Sequence, residues 1–365
     1  MKKTKIIALI VCVVMVFAFC AGCAEPTTPP PGESTATSGE ETASNSGTSY
    51  GPKIDGEIAY VAYFTGIPYW NDGLRGLEAA AKQLGIDFDR DKNFYGPQDG
   101  SGQEQARIID ELVAKGVKGL IVSPADNDSI VGACQNAMDK GIPVVLVISG
   151  ISDKNAYYGS IGASNTTVGL TGGEYIAEAI GGEGKVGMLT IPGVPVHDER
   201  AAGYAQKLKE YPGIELIEPY ISTEAGADVA LQRAQALIQS NPDIKALIAT
   251  DSTGGAAAAR AVKEAGKEGE IKIIGMDRDA DLLGYIDEGV VTATIASKSY
   301  SSKYLAMHYM YWILTGSIHD VSDSVTNEEC GINPMPITID TDVMVIDKSN
   351  VQAFLDAVET DSSAE

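Results

Sequence analysis

Residues 117–148 read VKGLIVSPADNDSIVGACQNAMDKGIPVVLVI, two short apolar runs on either side of a helix-like stretch. The same plan returns at residues 244–277, where IKALIATDS leads through an alanine-rich stretch to IKIIGMD. Nearly continuous apolar runs of this kind are typical of strands buried on both faces of a parallel sheet. The sequence therefore predicts an α/β protein with two doubly wound sheets, each with its ligand edge at the carboxyl ends of its strands.

The alternation of strand-like and helix-like segments extends over most of the chain. A strand is predicted within residues 57–64, followed by a helix that ends at Gly85, because glycine favours the left-handed conformation that terminates helices. Ser101 with Glu104 three residues later has the pattern of a capping box. From Lys53 onward about 310 residues remain, enough for two lobes of ordinary size.

The amino terminus has the features of a secretory signal. Three lysines within the first five residues precede the apolar run 6–19, which is shorter than the roughly 20 residues of a spanning helix. The sequence Cys20-Ala21-Gly22-Cys23 resembles the end of a bacterial lipobox, although the usual leucine three residues before the lipidated cysteine is Cys20 here. We expect residues 1–22 to be removed and Cys23 to be lipidated; cleavage by a plain signal peptidase near Ala24 is the alternative.

A change of composition follows Cys23. Residues 24–52 consist almost entirely of Pro, Thr, Ser, Gly, Glu and Ala, so residues 23–52 are predicted to be a lipidated cysteine and a disordered tether. Residues 359–365 are predicted to be a short tail. The chain has a net charge of −23, which argues against binding of nucleic acid or of an anionic membrane surface by charge. Contact with the membrane is expected only through the lipid anchor.

The residues of the predicted mature domain offer little chemistry for catalysis. Three histidines are present, none in a metal-binding spacing, and neither a nucleophile elbow nor a phosphate-binding loop occurs. We therefore expect no enzyme activity, no cofactor and no metal; a dinucleotide-dependent enzyme is the weak alternative. Cys134 and Cys330 remain after export; a disulfide is one option, and for Cys134 a buried free thiol in a helix is the other.

An ordered series of segments resembles the ribose-type periplasmic sugar-binding proteins. The resemblance extends from about residue 55 to 358, and its segments are TGIPYW (65–70), GLRGLEAAAKQLG (73–85), GVKGLIVSPAD (116–126), GIPVV (141–145), GASNTTVGLTGGEYIA (162–177), HDERAAGYAQ (197–206), IKALIATDS (244–252), IIGMDRDADLLGYIDEG (273–289), TATIASKSY (292–300) and ITIDTDVMVIDKSNVQAF (337–354). It implies the type I solute-binding fold, with two lobes joined by three crossing strands.

The resemblance also implies lobe boundaries and a function. Crossings are expected near 162–164, 296–298 and 336–341, so the N-lobe is 53–162 plus 298–336 and the C-lobe is 163–297 plus 337–358. The helix 299–315 would return to the N-lobe. The implied function is that of a monomeric lipoprotein outside the cell membrane, which captures a sugar or polyol and delivers it to an ABC permease with a cytoplasmic ATPase. The alternative is a sensor of a sugar or autoinducer-2-like signal that reports to a membrane kinase.

Each candidate ligand contact has a structural alternative. Tyr69 and Trp70 correspond to the stacking rings of the family, or one of them packs in the core. Arg200 corresponds to the ligand arginine, or it pairs with the adjacent acids 198 and 199. Asp277 either accepts hydroxyl protons or caps the helix that begins near residue 279.

Four further candidates remain on the C-lobe. The family's ligand position falls on Thr250, with Asp251 beside it as the other candidate or as a helix cap. Asn165 is a ligand amide or the cap of a helix over 167–180. Ser297 occupies the position of a familiar glutamine.

The chain departs from the ribose-type pattern in ways that bear on the ligand. Where ribose binders often carry an Asp-Arg pair, this sequence reads Ile148-Ser149-Gly150. Lys298 follows Ser297, and the lysine that autoinducer-2 receptors carry on the first strand is Tyr63 here. Ribose itself is therefore in doubt, and another pentose, a hexose, a polyol or a sugar-like signal is expected.

Overall fold

The computed structural model describes residues 51–65, 70–126, 128–327 and 329–362. The predicted signal peptide, Cys23, nearly all of the predicted tether and Tyr69 lie outside these residues. The first segment of the first lobe contains β1 Ile58–Val61, α1 Asn71–Leu84, α2 Arg90–Asn93, β2 Phe94–Tyr95, α3 Gly102–Lys115, β3 Gly119–Val122, α4 Val131–Asp139, β4 Val144–Val147 and β5 Gly159–Gly162.

The chain then enters a second lobe, returns to the first and enters the second again. The second lobe contains α5 Asn165–Ala179, β6 Glu183–Thr190, α6 Pro195–Leu208, β7 Gly213–Leu216, β8 Ile221–Ser222, α7 Ala227–Ser240, β9 Ile244–Ala249, α8 Ser252–Glu264, β10 Lys272–Met276, α9 Ala280–Asp287 and β11 Ala293–Ser297. The return consists of α10 Ser299–Thr315 and β12 Thr338–Asp340, and the chain ends with β13 Val343–Asp347 and α11 Val351–Ser362.

Each lobe is built on one sheet. Within the described residues, the first sheet has the strand order β12-β5-β4-β3-β1-β2 with parallel pairing throughout. The second has the order β13-β11-β10-β9-β6-β7, with β8 also paired to β6 and β13 antiparallel to β11. The predicted fold class, two parallel-sheet α/β lobes, is confirmed.

The predicted lobe boundary at residue 337 is wrong by a few residues. Thr338–Asp340 form β12, which pairs in parallel with Ser160–Gly162 of the first sheet. The chain therefore crosses into the second lobe after Asp340, because the partner of the next strand is β11. The earlier passages lie between Gly162 and Asn165 and between Ser297 and Ser299.

Both faces of each sheet are buried, which explains the apolar runs. Along β1, Ile58 and Tyr60 pack into one core of the first lobe, and Ala59 and Val61 pack into another on the opposite face. The second sheet likewise lies between two apolar clusters. Strands buried on both faces have no polar positions to alternate with, so the period-two pattern of a half-exposed sheet is absent from their sequence.

Several local predictions are confirmed. Gly85 ends α1 in the left-handed conformation, and Ser101 caps α3 by accepting a hydrogen bond from the amide of Glu104. Within the described residues Cys134 is a buried free thiol and Cys330 is exposed and free. No helix in the described ranges has the length and apolar character needed to cross a membrane.

Candidate functional site

Four polar side chains lie at the carboxyl ends of adjacent strands in the second lobe. Thr190 ends β6, Thr250 follows β9, Asp277 follows β10 and Ser297 ends β11. These four strands are neighbours in one parallel arrangement, so their carboxyl ends meet at the same edge of the sheet. Three of the four, Thr250, Asp277 and Ser297, are site residues predicted from the sequence, and the fold brings them to one edge; Thr190 was not predicted.

Arg200 is held at this edge by hydrogen bonds to two other predicted site residues. Its Nε donates to Asn165 Oδ1 at 3.1 Å, and its Nη1 donates to the carbonyl oxygen of Thr250 at 2.8 Å. The alternative pairing with its neighbours is wrong, because Glu199 accepts from Asn165 Nδ2 at 3.0 Å and Asp198 accepts from a backbone amide. The guanidinium group is thus fixed by a side-chain amide and a strand-end carbonyl.

Close packing of α5 against α6 sets the position of Arg200. A Cβ at Gly169 on α5 would collide with the carbonyl oxygen of Arg200, and a Cβ at Gly203 on α6 would collide with that of Thr166. The two glycines therefore allow the helix backbones to approach closely. The cap alternative for Asn165 is wrong, because Ser164 caps α5 and Asn165 is its first helical residue.

Asp277 has an unusual backbone conformation. Its φ is 68°, its amide donates to the carbonyl of Ile295 at 2.9 Å, and its own carbonyl accepts from Thr294 Oγ1 at 2.7 Å. A positive φ is uncommon for a residue other than glycine, and such residues concentrate at functional sites. The helix-cap alternative is wrong, because the N-cap of α9 is Asp279.

The charge of Asp277 is perturbed by its surroundings. Burial raises the pKa of its carboxyl group to about 6; the guanidinium of Arg200 opposes this shift, and the nearby carboxylates Asp279 and Asp251 add to it. Desolvation together with a specific charged partner at a strand edge is a pattern that often marks a functional site.

Thr250 and Asp251 differ in role although they are adjacent. Asp251 caps α8 by accepting the amide of Gly254 at 2.9 Å, and its other oxygen accepts from Thr223 Oγ1 at 2.8 Å, so the cap interpretation is confirmed. Thr250 is buried, and its hydroxyl donates to Thr190 Oγ1 at 2.8 Å. The carboxylate of Asp251 is thus occupied by protein donors.

His197 belongs to the same cluster and was not among the predicted site residues. Its Nδ1 lies 3.2 Å from the carbonyl oxygen of Thr250 and 3.3 Å from its hydroxyl. Burial lowers the pKa of His197, and the neighbouring Arg200 lowers it further. The sequence search considered histidines only as metal ligands, and in the described residues no group of three His, Cys, Asp or Glu side chains is placed to hold a metal ion.

The first lobe contributes two aromatic side chains to the candidate site, Tyr63 and Trp70, which together are called the aromatic wall. Trp70 is 1% exposed and packs in the apolar core of the first lobe, as the core alternative predicts; its ring meets Tyr63 edge-on with centroids 5.3 Å apart and Tyr60 at 6.2 Å. Burial raises the pKa of Tyr63, Asp277 raises it further and Arg200 opposes the shift. Tyr63 therefore lies within electrostatic range of both charges of the second lobe, a proximity that the sequence did not predict.

An ion pair also joins the lobes. Arg278, directly after Asp277, pairs with Asp72 at the start of α1, and both side chains are partly exposed. Ser297 lies at the second passage between lobes and pairs with Val343 at the third, so it belongs to the hinge region as well as to the strand edge.

Two α/β lobes with a charged strand edge facing an aromatic wall define a type I solute-binding protein. The sequence pattern of the periplasmic binding protein domain matches residues 58–318, and the chain belongs to this family. The D-allose-binding periplasmic protein of Escherichia coli is 30% identical over 252 residues, covering 66% of this chain and 78% of that protein. The ribose import binding protein of Bacillus subtilis is 27% identical, covering 63% and 72%.

A solved structure agrees with this assignment. The sugar-binding protein of a sugar ABC transporter from Bacillus halodurans superimposes with a TM-score of 0.76 at 27% identity, covering 82% of this chain and 100% of that one. All three proteins are named as binding proteins, and the names of the second and third include import or an ABC transporter.

Proposed function

We propose that the protein is an extracytoplasmic solute-binding protein that captures a monosaccharide or polyol between its lobes and delivers it to an ABC permease. The observation that carries the proposal is that Tyr63 of the first lobe lies within electrostatic range of Arg200 and Asp277 at the strand edge of the second lobe. Charged groups make the stronger hydrogen bonds to sugar hydroxyls, and aromatic rings cover the apolar face of a sugar.

The proposed contacts add Tyr63, which follows β1, to the site residues predicted from the sequence. Arg200 and Asp277 bind hydroxyl groups, the amide of Asn165 orients Arg200, and Tyr63 closes the opposite side. The remaining proposed ligand-binding residues are Tyr69, Trp70, Thr250, Asp251 and Ser297. For Asp251 the proposal is an electrostatic contribution, because its oxygens accept hydrogen bonds from protein donors.

The names of the relatives favour a sugar, and this chain's own residues decide against assigning ribose alone. Relatives are named for D-allose, ribose and D-apiose, and another for xylitol. This chain has Ile148-Ser149-Gly150 after β4, so that strand end offers neither a carboxylate nor a guanidinium group. The class proposed is therefore a monosaccharide or polyol held mainly by the charges of the second lobe.

A thermal-shift screen of the mature protein tests this proposal. The panel contains D-ribose, D-allose, D-arabinose, xylitol and autoinducer-2, and at least one should raise Tm in a saturable way, because a ligand that binds only the folded state stabilises it. Arg200→Ala should remove the shift. Absence of a saturable shift with every compound would contradict the proposal.

Closure of the lobes gives an independent readout. A solute that contacts both lobes favours the closed arrangement by its differential contacts. The radius of gyration from small-angle scattering should therefore decrease when the compound selected by the screen is added. An unchanged radius at saturation would contradict capture between the lobes.

We also propose that Cys23 carries a lipid and that this lipid anchors the protein, as a monomer, to the outer face of the cell membrane. The permease that receives the solute is proposed to act with a cytoplasmic ATPase. Radiolabelled palmitate should enter the protein in its host, and Cys23→Ala should abolish the label. Cys12→Ala is the matched control and should keep it. Label that persists in Cys23→Ala would contradict the proposed anchor.

A further inference from the structure

A fully buried lysine lies in the second turn of α10. Lys303 is 0% exposed, and its Nζ donates to Ser299 Oγ at 3.2 Å. In the part of the chain that the structure describes, no carboxylate pairs with Lys303, and desolvation is the cause that shifts its pKa. Lysine is rarely buried without a partner, because an ammonium group without a counter-charge loses its hydration on folding.

Lys303 lies against the aromatic wall. Its Nζ is 5.9 Å from the ring centroid of Trp70, within the range of a cation–π interaction. Gly73 on α1 leaves room for the side chain, because a Cβ at Gly73 would lie 3.0 Å from Cε and 3.1 Å from Cδ of Lys303. Trp70 in turn meets Tyr63, the ring that faces the charges of the second lobe.

The acidic groups of the helix packed against α10 are engaged elsewhere, and Glu78 of α1 pairs with Arg90. On α1, Asp72 pairs with Arg278, and at the start of α10, Lys298 lies 3.6 Å from Asp342. The strands β3, β4 and β5, against which α10 packs, contain no ionisable residue.

Two other titratable side chains flank this region. The Tyr60 hydroxyl lies 2.9 Å from Ser123 Oγ, and His308 Nδ1 lies 3.0 Å from the carbonyl of Tyr304. Neither supplies Lys303 with a negative charge.

We propose that Lys303 is a positioning residue of the ligand cleft: its ammonium group holds the indole of Trp70 against Tyr63 and so fixes the aromatic wall. The inference rests on the proposed function only in taking Tyr63 and Trp70 as a wall of the cleft. A purely structural role fits poorly, because an apolar side chain of the same length would fill the space without burying a charge.

The charge of Lys303 can be removed by pH as well as by mutation. Burial lowers the pKa of Lys303 to about 7, so the ammonium form is lost near neutral pH in the folded protein. The unfolded chain keeps its lysine protonated to higher pH, so the folded state binds fewer protons and stability rises with pH above about 7. Positioning of Trp70 should weaken as pH rises through about 7, the pH at which the rise in stability begins.

The test measures the solvent exposure of Trp70 in the absence of any ligand. The chain has two tryptophans, so Trp312→Phe leaves Trp70 as the sole reporter in the mature protein. Acrylamide quenching of Trp70 should be low at acidic pH and should rise about twofold through pH 7 as the cation–π contact is lost. Adding Lys303→Met should give high quenching at every pH, together with an equal or higher Tm.

A control variant and the pH profile of the parent protein make the quenching result decisive. Lys298→Met, at the N-cap of the same helix, is the matched control and should leave quenching and its pH profile unchanged. Equal quenching in the Lys303→Met and parent proteins, or a flat profile in the parent, would overturn the proposal. The parent's profile decides the question even where Lys303→Met fails to fold, and a negative sugar screen leaves this measurement unaffected.

Discussion

The two lobes make the same backbone turn after corresponding strands and place different chemistry on it. Ile148 follows β4 with φ 79°, and its amide donates to the carbonyl of Ile161 on the next strand at 3.2 Å. Asp277 follows β10 with φ 68°, and its amide donates to the carbonyl of Ile295 on the next strand at 2.9 Å. Ile148 packs against the core of its lobe, whereas Asp277 lies near Arg200.

The two turns differ in which of their features come from the fold and which from the proposed ligand site. The left-handed turn occurs in both lobes, so it is a property of the shared architecture. For a β-branched residue such as Ile148 a positive φ is strained. The chemistry placed at the turn is not shared: the second lobe carries a carboxylate there and the first an apolar side chain. In the proposed site the second lobe supplies the charges, and the first supplies the aromatic side chain Tyr63 after β1. The predictions below test this division, beginning with the largest expected effect.

Loss of the guanidinium group should have the largest effect. Arg200→Ala should weaken binding of the screened sugar by roughly 2–4 kcal/mol, because it removes charged donors and leaves sugar hydroxyls unpaired in a dry cleft. Calorimetry measures the change. Arg233→Ala is the matched control, since Arg233 is exposed and bonds to the carbonyl of Ser222, and it should bind as the wild type does. Equal affinity of the Arg200 variant would place the ligand elsewhere.

The pH dependence of binding should follow Asp277. The carboxylate accepts hydroxyl hydrogen bonds in its ionised form, so affinity should fall by up to about tenfold per pH unit below pH 6 and stay level above it. Asp277→Asn should bind more weakly and lose this dependence, while asparagine tolerates the left-handed turn. A pH profile that is the same in both proteins would assign the titration to another group.

The raised pKa of Asp277 affects the stability of the unliganded protein and its affinity for sugar in opposite directions. Burial raises the pKa of Asp277 above its unfolded value, so the protonated acid stabilises the unliganded fold at low pH. That contribution is lost as pH rises through about 6. Stability and affinity should therefore change in opposite directions across this range.

The neighbouring Asp251 should affect stability more than binding. Asp251→Asn keeps a cap but removes the charge, whereas Asp251→Ala removes the bonds to Gly254 and Thr223 and should lower the free energy of unfolding by about 1 kcal/mol. Denaturant titration measures this. A loss of sugar affinity in the Ala variant as large as that of Arg200→Ala would show that Asp251 binds the ligand directly.

The ion pair between the lobes should have the smallest effect. Asp72→Asn should weaken binding by about 0.2–1 kcal/mol at low salt, because the pair with Arg278 is partly exposed and helps only the closed arrangement. The difference from wild type should vanish at high ionic strength. Asp110→Asn, an exposed residue of the same lobe, serves as the control; a difference that persists in salt would mean that Asp72 acts through something other than charge.

The fold could be predicted from the sequence because its strands are apolar runs. The lobe boundary at β12 could not be predicted in this way. Thr338 and Asp340 are exposed, so the strand they form has no apolar signature, and only its pairing with β5 assigns it to the first lobe. Candidate site residues could be predicted where they directly follow an apolar strand, as Asp277 does.

The contacts that were missed depend on segments far apart in the chain. Tyr63 approaches Arg200 and Asp277 only because the lobes meet, and Asp72 finds Arg278 for the same reason. Hydrophobic periodicity describes each segment by itself and carries no information on how a hinge brings two of them together. The burial of Lys303 was equally hidden, since a lysine is expected on the surface.

A crystal structure of the mature protein with the sugar selected by the screen tests the central claim most directly. The account predicts one sugar between the lobes, with Arg200 and the Asp277 carboxylate each within about 3 Å of its hydroxyls. Tyr63 or Trp70 should lie against its apolar face. A sugar bound elsewhere, with Arg200 still bonded only to Asn165 and Thr250, would contradict it.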